Sequence, residues 1–340
     1  MTDHKLPKSP SRVTERDVAR AAGVSASTVS RILNGTARVA EDKRAAVESA
    51  ISRLGFRPDH AARSLKTGTT MTVGVLVQDV ESPFFARLLH GIESSLQGSG
   101  YVPMIVSGHW DPAQEEERVR LLMDRRIDGL VVLAGRLSDA RLAEFARHQP
   151  TVVLGRQLKA RNLHATWFDQ VEAGRMATRH LLDAGHRRIA HILGPEGNRD
   201  ADERRRGYLQ AHKDFGVRPD PALMVLGDFL ETGGLLAMNR LLDGQRPFTA
   251  VFASNDQTAF GARMALHRRG VRVPEDISIV GVDDLPASSY VTPAQTTVRQ
   301  PLFELGRYAA AALRRLMGHE VEPVEMPELE LVIRDTTRRL

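Results

Sequence analysis

Apolar positions along this chain follow two regimes. Through residues 14–56 they recur every three or four residues, the period of amphipathic helices, and from residue 72 onward short β-rich runs alternate with helical stretches. In the first regime Thr14 and Asp17 make a capping-box pattern that opens a helix through "DVARAA", and Gly23 stops it. Ser25 is placed to cap the next helix, whose buried stripe is Val29, Ile32 and Leu33 and which ends at Asn34–Gly35. A third helix covers "EDKRAAVESAISRLGF", with Ala46 or Val47, Ala50, Ile51 and Leu54 inward. Ala40, at its N-cap position, has no capping oxygen, so Glu41 and Asp42 support the first turn through the helix dipole alone. Two short helices across a tight turn, with small Ala21, Ala22 and Gly23 at the crossing, predict a helix-turn-helix. Pro58 then breaks the chain, and "HAARSLK" is too short to stay helical alone in water.

In the second regime "TVGVLVQDV", "YVPMIVSG", "GLVVLAG", "TVVLGR", "HATWFD", "RIAHILG", "ALMVLGDF", "TAVFASND" and "ISIVGVDD" read as strands buried on both faces, the mark of parallel sheets covered by helices. So many strands over residues 71–340 divide into two doubly wound halves, since one core rarely grows so large, and the break falls near "LHATWFDQVEAG".

Charge separates the same two regions. Residues 1–70 hold 13 Lys/Arg against 7 Asp/Glu, whereas the rest of the chain holds 34 against 35. A basic block beside a neutral body points to phosphate contact by that block. On the outer side of the second helix Ser25, Ala26, Ser27, Thr28, Arg31 and Asn34 are the candidate DNA contacts. Arg31 is the only long one, able to make a bidentate contact to guanine, while Ala26 and Ser27 offer little beyond a methyl and a hydroxyl. The absence of cysteine excludes disulfides and thiolate metal sites, and no apolar run reaches membrane-spanning length. With an N-terminus lacking the apolar core of a signal peptide, the expectation is a cytoplasmic protein without membrane contact.

"RVTERDVARAAGVSASTVSRILNG", "RPDHAARSLKTG" and "VGVLVQDVESPFFARLLHGIE" together resemble the lactose-repressor/galactose-repressor (LacI/GalR) family of bacterial transcription regulators, over about residues 13–335. The resemblance implies a fold: an N-terminal all-α helix-turn-helix headpiece, then a periplasmic-binding-protein-like α/β core of two doubly wound parallel-sheet subdomains. The expected layout is a tail at 1–12, a headpiece at 13–58, a hinge helix and linker at 59–70, and an effector-binding and dimerisation core at 71–340. Within the core the N-subdomain takes about 71–165 plus 298–325 and the C-subdomain about 166–297 plus 326–340. In the family a leucine matching Leu65 wedges into the minor groove at the centre of the operator, and Arg63, Ser64 and Lys66 match the motif around it.

In parallel α/β sheets ligands bind beyond the carboxyl ends of strands. That rule selects Asp79, Ser82, Phe84 and Phe85, then His109, Trp110 and Asp111, then Arg156 in the first half. In the second it selects Asn198, Asp200, Arg204, Asp228, Phe229, Asn255, Asp256, Asp283 and Asp284, with Asp256 and Asp284 read as helix caps. Aromatic rings with carboxylates, an amide and guanidinium groups suit a polyhydroxylated ligand. By resemblance Arg204, Asn255 and Asp283 match effector-contacting positions, and Phe85 and Phe229 positions that pack on the effector. Purine-binding members carry Arg and Thr where this chain has Asn198 and Asp200, which puts a purine second to a sugar, as an alternative effector of either sign. Arg156 with Arg204 keeps a sugar acid or sugar phosphate open. Phe84 is open between core and ligand.

The expectation is a dimeric repressor on a pseudo-palindromic operator, controlled by a small metabolite, first choice a sugar inducer, with corepression as the opposite sign. Nothing after "IRDTTRRL" supplies a tetramerising heptad segment. No catalytic signature of credible spacing occurs and no cofactor is called for. The rivals are a sugar-binding protein without a DNA role and an enzyme acting on a sugar.

Overall fold

The computed structural model describes residues 13–34, 39–56 and 68–340. The expectations placed on Arg63, Leu65 and Lys66 lie outside these residues. The chain divides into two compact units, residues 1–70 and 71–340.

In the first unit helices α1 (Glu15–Ala22), α2 (Ala26–Asn34) and α3 (Glu41–Leu54) enclose a small core of Val18, Ala19, Val29, Val47, Ala50 and Phe56. The Thr14 hydroxyl accepts from Asp17 N while the Asp17 carboxylate accepts from Thr14 N, so both halves of the capping box form. Ser25 Oγ accepts from Thr28 N at 3.2 Å, and Ala40 contributes no side-chain bond. Ile32, Leu33, Ile51 and Leu54 pack on this core but stay half-buried or nearly so, because a three-helix unit has little interior to offer.

The second unit holds two sheets. The first has the order β2-β1-β3-β4-β5, from β1 (Thr72–Val77), β2 (Val102–Ser107), β3 (Gly129–Leu133), β4 (Thr151–Leu154) and β5 (Leu163–Thr166), all parallel. Alternation sends Val73, Val75 and Val77 to helices α4 (Pro83–Leu96) and α11 (Leu302–Leu316), and Leu76, Leu130 and Val132 to α5 (Pro112–Asp124) and α6 (Asp139–His148). The second sheet has the order β11-β10-β9-β8-β6-β7, from β6 (Ile189–Leu193), β7 (Met224–Leu226), β8 (Ala250–Ala253), β9 (Ser278–Asp283), β10 (Thr296–Arg299) and β11 (Glu330–Val332). Helices α7 (Gln170–Asp183) and α8 (Arg199–Asp214) cover one face, α9 (Glu231–Asp243) and α10 (Asp256–Arg268) the other.

Several features depart from the sequence expectation: β10 lies outside every run read as a strand, and β5 and β7 are only partly buried. Strand β11 pairs antiparallel at the sheet edge; three residues are too few to carry a periodic signal. Strand β2 is not buried on both faces: Val102, Met104 and Ile105 are 63%, 36% and 41% exposed, because β2 lies at the sheet edge with β1 as its one strand neighbour.

The chain passes between the sheets at residues 167–169, at Gln300–Pro301 before α11 packs on the first sheet, and again between α11 and β11.

Candidate functional site

The carboxyl ends of the two sheets face one cleft, lined by Asp79, Ser82, Phe84, Phe85, Trp110, Ala134, Asp200, Arg204, Asp228, Phe229, Leu230, Asn255, Gln257 and Asp283. The cavity volume in this structure is about 80 Å³. The first sheet supplies an aromatic wall. Phe84 and Phe85 meet edge to face at 5.1 Å between ring centres, and Trp110 lies 6.3 Å from Phe85. Trp110 is held there by a left-handed backbone (φ 57°), with its N–H donating to buried Gln78 at 2.8 Å.

The second sheet supplies the polar wall and an opposing ring. Arg204, 3% exposed, donates from Nε to Gln170 Oε1 at 2.9 Å and from Nη1 to Ser254 O at 2.6 Å, which leaves Nη2 near Asp283 Oδ1 at 3.9 Å. Phe229 lies over this guanidinium at 5.6 Å. Asp283 sits at the end of β9 with φ 118°, a left-handed backbone that a non-glycine residue adopts only when its surroundings hold it. Burial pushes its carboxyl up to about 6, against the pull of Arg204 and of the Gln300 amide. Asp200 is half-buried, has no hydrogen-bond partner among the described residues, and is also pushed up by burial. Beneath Asp283 lies Asp256, wholly buried and raised to about 7 by burial and by Asp283; it accepts from Thr297, Ser288 and the Leu285 amide.

Asn255 is the cap of α10: its Oδ1 accepts from Thr258 N at 3.0 Å and its Nδ2 donates to Phe229 O at 2.9 Å. It therefore fixes the backbone of the ring that faces the cavity, and Asp256, read from sequence as a cap, instead stabilises the loop after β9. Asp284 does not cap either; it pairs with Arg299 and Arg334.

Arg156 and Asn198 do not line the main cavity but an adjoining hollow with Trp110, Ala134 and Asp200. Arg156 donates to Gly135 O, Leu137 O and Asp139, and Asn198 caps α8 through Ala201 N. Asp111 likewise caps α5, and His109 is exposed outside the lining set. The strand-end rule missed Gln257, Leu230 and Ala134. Gln257 accepts from Ser82 across the cleft at 3.2 Å, and a second cross-cleft bond runs from Arg136 to Glu196 O.

In the headpiece unit Ala26, Ser27 and Arg31 are exposed and Thr28 partly so. The Ser25 hydroxyl lies 2.8 Å from those of both Ser27 and Thr28, which narrows their freedom to turn toward another partner. Asn34 closes α2.

Comparison with known proteins adds independent findings. Residues 14–59 match the model described as bacterial regulatory proteins, lacI family, and residues 178–337 match a periplasmic binding protein-like domain. The chain is 35% identical over 334 residues to the HTH-type transcriptional repressor PurR of Haemophilus influenzae, covering 96% of this chain and 99% of that one. Among solved structures, a lac repressor dimer bound to operator and an anti-inducer matches with a TM-score of 0.84 at 27% identity, over 96% of this chain and 99% of that one. A complex of the transcriptional regulator CelR with cellobiose matches at 0.69 and 34% identity, over 96% and 100%.

Proposed function

The chain belongs to the lacI family of bacterial regulatory proteins, and from that premise we propose that it is a cytoplasmic, homodimeric repressor released from a pseudo-palindromic operator by an uncharged, hydroxyl-rich metabolite, a sugar, held in the cleft. The observation that carries the ligand class is the charge of the lining. Four carboxylates, Asp79, Asp200, Asp228 and Asp283, face the cavity against the guanidinium of Arg204. A sugar acid or sugar phosphate would need a second cation, and Arg156 is spent on Gly135 O, Leu137 O and Asp139. A neutral polyol brings one donor per hydroxyl to these acceptors, while Phe84, Phe85 and Phe229 cover its C–H faces.

The two copies meet, in this proposal, through the apolar positions that one chain leaves open. These are Val102, Met104 and Ile105 on β2, and a broad groove lined by Phe260, Met264 and Val291. Two headpieces then take successive half-sites, matching protein symmetry to operator symmetry. The cleft is read here as binding its ligand without turning it over, a reading supported by relatives that are transcriptional regulators.

A thermal-shift screen of neutral sugars, nucleosides, sugar acids and sugar phosphates tests the ligand class, since a ligand at about 100 times its Kd adds ~2.7 kcal/mol to stability. A neutral sugar should stabilise the chain and release it from operator DNA. Stabilisation by anions alone would overturn the ligand class, a tightened operator complex would reverse the sign, and accumulation of a sugar product would overturn a binding-only cleft.

A further inference from the structure

Behind the cleft four buried side chains form a closed polar cycle. Arg204 Nε donates to Gln170 Oε1 at 2.9 Å, Gln170 Nε2 donates to Gln300 Oε1 at 2.9 Å, and Gln300 Nε2 donates to Asp283 Oδ1 at 2.7 Å. Arg204 Nη2, 3.9 Å from the same carboxylate oxygen, closes the cycle. The ends dictate its sense. A guanidinium only donates, so Gln170 must turn its oxygen to Arg204; a carboxylate only accepts, so Gln300 must turn its nitrogen to Asp283. The bond between the two amides then has one direction left, and neither amide can flip without leaving a buried polar group unpaired. None of the four residues is more than 6% exposed, so water cannot make good a lost bond.

The position of the two amides matters as much as their direction. Gln170 opens α7 immediately after the first passage between the sheets, and Gln300 lies in the second passage, between β10 and α11. Their mutual bond therefore ties one passage to the other. At both ends of the chain of bonds stand residues that line the cavity, Arg204 and Asp283. Local packing alone would be served by any filler of the right volume at these positions. A one-way amide chain from the cleft's cation to its buried carboxylate, routed through the first and second passages, is a more specific arrangement.

We propose that Gln170 and Gln300 are positioning residues that couple the cavity-facing Arg204–Asp283 pair to the first two of the three passages, so that the spacing of the subdomains follows the state of that pair. The proposal rests on the cleft being the effector site, and its test uses no ligand, so that the two can fail separately. The chain has no cysteine, so Glu117→Cys on α5 and Lys213→Cys on α8, both exposed, place one dye on each subdomain. The labelled full-length chain is diluted into excess unlabelled chain, and single-molecule energy transfer reads the spacing.

Gln170→Glu keeps the acceptor for Arg204 and loses the donor to Gln300; Gln300→Glu keeps the acceptor for Gln170 and loses the donor to Asp283. Each should raise the population of a second, wider spacing about tenfold. Asp283→Asn, which keeps an acceptor for Gln300 but removes the charge that faces Arg204, should produce the same redistribution, and Asp283→Asn with Gln170→Glu should produce no more than either alone. Unchanged spacing in the amide variants would overturn the coupling. So would additive effects in the double variant, the signature of separate local losses. Should Gln300→Glu fail to fold because it sets two carboxylates together, Gln170→Glu and Gln170→Met carry the same comparison. A chain that passes this test yet binds no small molecule would sink the effector site and leave the amide coupling standing.

Discussion

Replacing Gly174 with alanine sets two effects of known sign against each other at the residue that matters most to the cleft. In an exposed helix Gly→Ala gains about 1 kcal/mol. Here a Cβ on Gly174 would stand 2.8 Å from Arg204 Cα and 2.9 Å from its carbonyl carbon, and closer still to the carbonyl oxygen. Carbon atoms in contact prefer about 3.5–4.0 Å, so α8 must retreat by roughly 1 Å at the point where Arg204 leaves it. Overpacking of this kind costs about 1–3 kcal/mol, which outweighs the helical gain and leaves a net loss of about 0–2 kcal/mol. Taken up along the Arg204 bonds to Gln170 and Ser254 O, now 2.9 and 2.6 Å, the same shift carries both past hydrogen-bonding distance. Gly174→Ala should therefore lose little stability and at least about tenfold in affinity for whichever sugar stabilises the parent, the loss of roughly one bond to a charged group. Urea unfolding gives the first quantity, and quenching of Trp110, which lines the cleft, gives the second. A variant more stable than the parent by the full helical gain, with an unchanged Trp110 response, would refute the tight crossing of α7 and α8 as the constraint on Arg204.

Three further outcomes follow from the same structure. Arg204→Met strands the buried Asp283 carboxylate and should cost about 3–5 kcal/mol in urea unfolding, part of which Asp283→Asn in the same chain restores without restoring ligand binding. Asp256, raised to about 7 in the folded chain, binds more protons folded than unfolded between its ordinary carboxylate range and that value. Its contribution is thus fully present at low pH and lost as pH rises toward 7, so the stability of the parent relative to Asp256→Asn should fall over that window, and a flat difference would mean that burial does not hold the proton. Arg31→Ala should cost about 1–3 kcal/mol at one base pair of each half-site in binding to a panel of operator variants, whereas a uniform loss across the panel would assign Arg31 to phosphate.

The helix-turn-helix and both parallel sheets were legible in the sequence because they depend on local chemistry. Thr14 finds Asp17 three residues away, and the strand runs are apolar throughout since both faces are covered. The cleft was largely legible for a topological reason: parallel strands deliver their carboxyl ends to one side, which brought Asp79, Phe85, Arg204, Phe229, Asn255 and Asp283 to one lining. What each residue does there was not. Asn255 and Asp256 are neighbours with similar polar side chains, yet one caps α10 and fixes Phe229 while the other sits under Asp283. Arg156 lies in the loop after β4 and Arg204 within α8, and of the two only Arg204 keeps an arm toward the cavity.

The sequence by itself determined all the strands but β10 and β11, the parallel arrangement of those strands and the roster of polar groups at their ends, since propensity, capping and period act over a few residues. Only the tertiary structure decided which of those groups are spent on their own scaffold, that β2 keeps an uncovered edge, and that Gln170 and Gln300, 130 residues apart, meet between the passages. Hydrogen bonds of buried side chains are settled by whichever partner the packing brings within 3 Å, and no pattern along the chain records that distance.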